Sequence, residues 1–560
     1  MNFILKGANV FQTHLKSFKQ MDIEVRNGLI YATGENLDNS NGCIIHCEGK
    51  YIIPGLIDIH MHIESSMTYP IAFSKKVLPY GVTTVVADAH EMANVFGLEG
   101  MDSFMAQETK MDIFYAIPSS VPATSPLIET SGGIIQEAEV AKLLDNPKVI
   151  CLGEVMNFTD VTSQEDTLSK RIIKMCQDHP RYFPIEGHCP KLPIEDVEKF
   201  IGAGVGSDHT QNDAQSVFDK INRGMFMELQ RKSLTKEVVD IIVQYQLYER
   251  IALITDDVMP DHLLDHHLDG IIRHAVSLGF PLNYAIYCAT WTPAMRMNLH
   301  DRGSITPGKI ADLVILDQLD DFHVETVYKN GIVYDGIENS EFSFPDHYYH
   351  SIHCKQAQLE DFIMITDLVE NGQVYANVMS ISKFGTFTTH KKIPMQVIDG
   401  VVQWQDTNLC LVAIYERYQK TNTISYGFVE NALNKKGAIA TSWAHDCHNI
   451  LVLGNCPEDL VKAQSKVVHE QGGYAVISNK HQIDDFASLN IGGIIYDGEI
   501  EVLARDLQAV RYSIQRLGYQ NNNEIMSIST LSLPVSPALK LTDKGLLNVK
   551  TQERMPLFEL

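Results

Sequence analysis

No apolar run in the sequence approaches the ~20 residues needed for a helical membrane span, so none is expected. Basic residues are in short supply: 45 Lys and Arg stand against 70 Asp and Glu, a net charge of −25. A nucleic-acid partner wants a basic face, so that balance argues against one. There is no Cys-x-x-Cys pair, no internal repeat and no low-complexity tract. The ten cysteines are scattered, Cys43 and Cys47 in CIIHC being the closest, and read as buried, inert thiols. The opening stretch MNFILKGANVFQTHLKSFKQ resembles neither a signal peptide nor an Arg-rich transit peptide. With unpaired thiols, that sets a reducing cytoplasm as the expected location.

What is present is length and order. A chain of 560 residues exceeds one ordinary core and implies two or three domains. Residues 1–50 carry β-branched runs punctuated by Gly and Asn-Gly (FILKGANVF, MDIEVRNGLIYATG, CIIHCEGKYIIP). From 51 to about 302, strand-like runs alternate with helix-like segments: YIIPGLIDIH, VTTVVADAH, IFYAIPSS, KVICLGEV, YFPIEGH, GVGSDH, GMFMEL and IALITDD. Eight such runs predict an α/β fold, a (β/α)8 TIM-type barrel. Residues 303–340 return to strands and turns and are expected to join 1–50 in a small composite β-sandwich domain. Residues 350–560 form a separate C-terminal α+β domain, with predicted strands FIMITDLV, NILVLG, YAVIS and GGIIYDG and two helices.

In such barrels the C-terminal strand ends form the active-site face, and here each run ends in polar or ionisable residues. His60 and His62 alternate onto one side of the first strand, and Asp58 shares their face. An HxH pair alone is weak evidence of a metal. Glu154, His188, His209 and Asp256 close four further runs, and six donors suffice for two divalent ions. His90 and Glu91 close the second run. Glu91 is a candidate proton donor if burial raises its pKa, or else a cap on the following helix. Glu64, Ser65 and Ser66 follow the HxH pair as substrate contacts or as a helix cap. Asp208 and Asp257 flank ligands and rank as groups that orient them.

The stretches PGLIDIHMHIESSM (54–67), VVADAHEMANVFG (85–97), CATWTPAMRMNLHDRGSITPGKIADLVILD (288–317), AHDCHNI (444–450) and LTDKGLLNV (541–549) resemble the adenine deaminase family of the amidohydrolase superfamily. The resemblance covers nearly the whole chain. It implies that His60, His62 and Asp256 hold one metal, that His188 and His209 hold a second, and that Glu154 bridges them where many relatives use a carboxylated lysine. Imidazole and carboxylate donors suit Mn, Fe or Zn, and the resemblance points to Mn(2+) or Fe(2+). The implied reaction is hydrolytic deamination of adenine to hypoxanthine and ammonia by a metal-bridging hydroxide, in purine salvage. Asp256 then acts as proton shuttle, Glu91 and His90 as acid–base residues, and Glu64, Ser65 and Ser66 as substrate contacts. A small-molecule purine, a homo-oligomer (dimer or higher) and no membrane partner complete the expectation. His445 and His448, three apart in HDCHN, imply a substrate-closing or interface role, a separate metal site, or plain structure.

Four residues depart from the family pattern: Ala89 for proline, Thr210 for glutamate, Tyr418 for histidine and Cys447 for serine. All lie where substrate would be read, so they leave the substrate range open. A related amidohydrolase acting on another aminated heterocycle or cyclic amide is the alternative, and a non-catalytic barrel is a third.

Overall fold

A computed structural model describes residues 2–38, 42–189, 192–338 and 340–560. The chain opens with β1 (Asn2–Gln12), β2 (Ser17–Arg26), β3 (Leu29–Gly34), β4 (Cys43–His46) and β5 (Tyr51–Pro54). Asn27 and Gly28 turn β2 into β3 with φ of 51° and 80°. Both angles are left-handed, as an Asn-Gly hairpin turn requires. The strand run read as YIIPGLIDIH is two strands: Tyr51–Pro54 pairs with β1, and the barrel begins only after Gly55. A side chain at position 55 would sit 2.1 Å from the Thr83 hydroxyl, so only glycine lets the chain pass between the two sheets.

The eight parallel strands of the barrel are β6 (Leu56–Met61), β7 (Val82–Ala87), β8 (Asp112–Ile117), β9 (Val149–Val155), β10 (Ile185–Gly187), β11 (Ser207–Asp208), β12 (Phe226–Leu229) and β13 (Ile251–Leu253). They form one arc of five, β10-β9-β8-β7-β6, and one of three, β11-β12-β13. The arcs join where the Gly206 amide donates to the Ile185 carbonyl at 2.9 Å. They join again where the Asp256 amide donates to the His60 carbonyl at 3.1 Å. The barrel is therefore closed, and its second seam runs through two proposed metal ligands.

After the barrel, β14 (Leu313–Gln318), β15 (His323–Lys329) and β16 (Ile332–Val333) return to the first sheet, giving the order β16-β15-β14-β5-β1-β2-β3 with β4 also on β1. β1 and β15 are three strands apart, about 14 Å if the sheet were flat. The Phe3 and Tyr328 rings on them are nevertheless 5.4 Å apart. The sheet folds over its own apolar core.

The C-terminal domain carries a ten-stranded sheet, with the helices Pro457–His469 and Ile500–Arg516 as expected. Two expected strands are absent. FIMITDLV begins in a short helix, Leu359–Phe362, and continues as extended chain held by a single bridge from Ile365 to Val401. GGIIYDG is a turn, because Gly492 and Gly493 have φ of 62° and 69°. One apolar cluster runs from the barrel into this domain, holding Met92 and Val95 together with Trp443 and Ala444. The loop after β8 is gripped from the C-terminal side. Asn449 donates to the Thr130 carbonyl at 2.8 Å, and Lys420 donates to the carbonyls of Ser131 and Gly132 at 2.8 and 2.7 Å. These bonds set residues 445–449 over the barrel mouth. Among the described residues, no helix is long and apolar enough to cross a membrane.

Candidate metal centre

The six expected donors lie at or just beyond the C-terminal ends of five barrel strands. His60 is in β6 and His62 one residue past it; Glu154 is in β9; His188 and His209 follow β10 and β11; Asp256 comes three residues after β13. Glu154 is their hub. Its Oε2 is 2.7 Å from His188 Nδ1 and 3.1 Å from His209 Nε2, and its Oε1 is 3.5 Å from His62 Nε2. Asp256 Oδ1 faces His62 Nε2 at 3.6 Å and His60 Nε2 at 4.0 Å. The donor atoms of His60, His62 and Asp256 lie within 4.8 Å of one another, as do those of His60, Glu154 and His209. All are buried except His188, which is half-buried and marks the open side.

This arrangement fits a divalent cation pair. His60 Nε2 is buried without a hydrogen-bond partner, a costly state unless something else completes it. Burial, reinforced by the His209 imidazole, keeps the His60 pKa well below its usual value, so the ring presents a lone pair. His62 Nδ1 meets the Asp88 carbonyl at 2.9 Å, which leaves Nε2 for the centre. Gln230 donates to the second oxygen of Asp256 and, at 3.1 Å, to the His209 carbonyl. Asp256 has φ of 60°, a left-handed conformation costly for most side chains and tolerated best by Asp, Asn and Gly.

Beside this centre lies a second buried cluster. His90 and Glu91 open the helix His90–Phe96, and His90 Nδ1 is 4.0 Å from Glu154 Oε1 while its Nε2 is 3.4 Å from Glu91 Oε1. Glu91 does not cap that helix. Glu64 does so from the neighbouring loop, its Oε1 accepting the Met92 N–H at 3.2 Å. Each Glu91 oxygen instead takes one imidazole from the C-terminal domain: His445 Nδ1 lies 2.6 Å from Oε1, and His448 Nε2 contacts Oε2. Burial would raise the Glu91 pKa, but His445 and His448 outweigh it and hold the carboxyl well below its ordinary value. The condition on which Glu91 was a candidate donor, a pKa raised by burial, is therefore not met. Burial does win at Glu64, where the nearby Glu91 charge helps push the pKa up to about 7.

The three residues of the IESS turn divide. Ser65 donates to Asp257 at 2.6 Å and Ser66 to the Val258 carbonyl at 2.9 Å, so both hydroxyls brace the loop after β13. Only Glu64 keeps a free oxygen, Oε2 being buried and unpartnered. Asp58 shares the histidines' face but lies deeper. It accepts from the Thr255 hydroxyl at 2.6 Å and the His60 amide at 3.3 Å, joining β6 to β13. Of the four departures, Thr210 spends its hydroxyl on Asp208 at 3.0 Å, and the Tyr418 hydroxyl donates to the Cys447 carbonyl at 2.6 Å. Ala89 is buried immediately ahead of the helix bearing His90.

Asp208 turns away from the centre into a fully buried ion pair with Lys220 at 2.7 Å, and also accepts the Cys189 N–H at 2.9 Å. Burial opposes its charge, but Lys220 and His209 outweigh that and lower the pKa to about 2. The stabilisation is in place above the unfolded carboxylate pKa of ~4 and fades as pH falls toward the folded value. Lys220→Ala strands the carboxylate and should cost about 3–5 kcal/mol in denaturant unfolding at neutral pH. A loss below about 1 kcal/mol would show that the pair contributes little.

Asp88 and Gln230 were not anticipated. Asp88 stands two residues before His90, the spacing that pairs His60 with His62, and Gln230 is the first residue after β12. Their positions at strand ends were the available clue.

A closed barrel with buried imidazoles and carboxylates at its C-terminal mouth is the architecture of the amidohydrolases, and the "Amidohydrolase family" profile matches residues 51–333. A second profile, "Adenine deaminase C-terminal domain", matches residues 385–553. "Adenine deaminase 2" of Oenococcus oeni is 45% identical over 554 residues, covering 98% of this chain and 97% of the relative. "Adenine deaminase" of Clostridium perfringens is 44% identical over 569 residues, with 100% of both chains covered. Among solved structures, an enamidase matches 60% of this chain and 95% of its own at 18% identity, with a TM-score of 0.46. The chain belongs to the adenine deaminase family of the amidohydrolases.

Proposed function

We propose that the protein hydrolyses adenine to hypoxanthine and ammonia at the barrel mouth, with His60, His62, Glu154, His188, His209 and Asp256 holding two divalent ions. The observation that carries this reading is the pair of overlapping donor groups, His60–His62–Asp256 and His60–Glu154–His209, beside a buried acid–base cluster. The donor set is consistent with Mn(2+), Fe(2+) or Zn(2+), and the family resemblance favours the first two. When bound, such ions supply water acidity, lowering a pKa of ~16 toward ~7.

The chain's own groups move the protons. As water oxygen adds to C6 of adenine, Asp256 takes one proton from that water, and another reaches the ring nitrogen by way of the Glu91 carboxylate, which stands beside His90. The C6–N6 bond then breaks, Asp256 returns its proton to the departing amine, and the proton left on the C6 oxygen returns to the cluster around Glu91 as the carbonyl forms, so water and adenine balance hypoxanthine and ammonia. Glu64, with its free buried oxygen, is the residue of the IESS turn best suited to bind the purine. Ser65 and Ser66 support it through Asp257 and Val258.

The test is hypoxanthine formation from adenine by protein loaded with Mn(2+) or Fe(2+). Chelation should abolish turnover and re-addition restore it; activity untouched by complete metal removal would refute the reading. A screen of other aminated heterocycles and cyclic amides separates it from the alternative substrate class. A cytoplasmic homo-oligomer working in purine salvage, with no nucleic-acid or membrane partner, accords with this reading and rests on the family resemblance together with the acidic charge.

A further inference from the structure

The Glu91 carboxylate is more than 350 residues from its two C-terminal partners in the chain. His445 and His448 reach it from above, one on each oxygen. The segment carrying them is anchored at several points. Ser532 donates to the His445 carbonyl at 3.0 Å, the Tyr418 hydroxyl donates to the Cys447 carbonyl at 2.6 Å, and the Cys447 thiol donates to buried Glu129 at 3.1 Å. A core residue would not need such precision; a group that aims a catalytic carboxylate does.

We infer that His445 and His448 are a positioning pair for the deamination, supplied by the C-terminal domain, which hold the Glu91 carboxylate toward the purine and supply the proton it passes on. The inference rests on the adenine reading above.

The two imidazoles are unlike. Burial lowers the His445 pKa, but Glu91 outweighs it and raises it to about 10, so His445 carries a proton at neutral pH. At His448 burial wins and the pKa is lowered, with the Arg417 guanidinium beyond it also disfavouring a second charge. The groups facing Glu91 are thus His90 on its own helix, Glu64 from the loop after β6, and His445 and His448 from above, with Asp446 on the flank of His445 at 3.3 Å. His445 is the reservoir among them. The His445 N–H proton passes through the Glu91 carboxylate to the ring nitrogen, and the proton left on the C6 oxygen returns by the same path to His445 as the carbonyl forms. No electrons change hands, and no further reactant is needed.

The experiment uses the full chain loaded with Mn(2+), measuring metal content, kcat, KM and the pH profile of kcat for wild type, His445→Asn, His448→Ala and His448→Gln. His445→Asn keeps a donor near Nδ1 but has no proton to yield. It should retain the metals, lose about 10²-fold or more in kcat with little change in KM, and lose the high-pH limb set by His445. His448→Ala should fall similarly, and His448→Gln, which restores a donor near Nε2, should recover most of the loss. Wild type that binds metal but leaves adenine untouched sinks the adenine reading itself. Active wild type beside variants with unchanged kcat and pH profile overturns only the positioning role. Loss of metal in His445→Asn, or a third ion bound through His90, Glu91 and Asp446, whose donor atoms also lie within 4.8 Å of one another, overturns it too.

Discussion

Glu154→Ala should remove both halves of the metal centre at once, leaving protein without its ion pair and without measurable adenine turnover. The reason is connectivity. Glu154 faces His188 and His209 with one oxygen and His62 with the other, so its carboxylate reaches proposed ligands of both halves. Removing residues that merely orient ligands costs about 10–100-fold in metal affinity or activity. A carboxylate shared by three ligand imidazoles should cost more. Its backbone is held independently, the Glu154 amide donating to Asp88 Oδ2 at 3.1 Å, so the barrel should persist. Metal analysis and circular dichroism on one sample check this, and an unchanged metal content would contradict the bridging role.

Asp256→Asn should lower kcat by about 10²–10⁴-fold, the range for losing a positioned proton-transfer group, and leave the fold intact. Asparagine keeps the size of the side chain and tolerates the φ of 60° at this position. Asp256→Ala provides the contrast. It should lose catalysis equally and also about 1 kcal/mol or more of stability, because alanine resists the left-handed conformation at the barrel seam. Denaturant midpoints separate the two variants. Equal stability would show that the seam does not depend on this residue's conformational tolerance, and near-normal kcat in Asp256→Asn would remove it from proton transfer.

The barrel and its donor ring were legible because they follow a local rule. Strand alternation aligns His60 with His62, and each further proposed ligand stands at or just past the end of a strand of its own, so spacing within short windows carried the information. Where tertiary contacts decide, the reading failed. In FIMITDLV the alternation is real, Phe362 and Met364 being buried and Ile363 and Ile365 exposed, but no partner strand runs alongside to make a ladder. In GGIIYDG the apolar run is turned by two left-handed glycines packed on Phe96 and Arg417. The state of the Glu91 carboxylate was out of reach for the same reason. Burial was foreseeable from its place at a strand end, whereas the two imidazoles that reverse its pKa come from the other end of the chain. Ser65 and Ser66 likewise looked available in sequence, and their partners Asp257 and Val258 lie beyond the last barrel strand.

The most direct test of a two-metal adenine deaminase is to titrate metal-free protein with Mn(2+) while following adenine loss and hypoxanthine and ammonia formation. The expected result is turnover that rises to a plateau at two ions per chain, with the two products in equal amounts. Two ions bound without any conversion of adenine would contradict it.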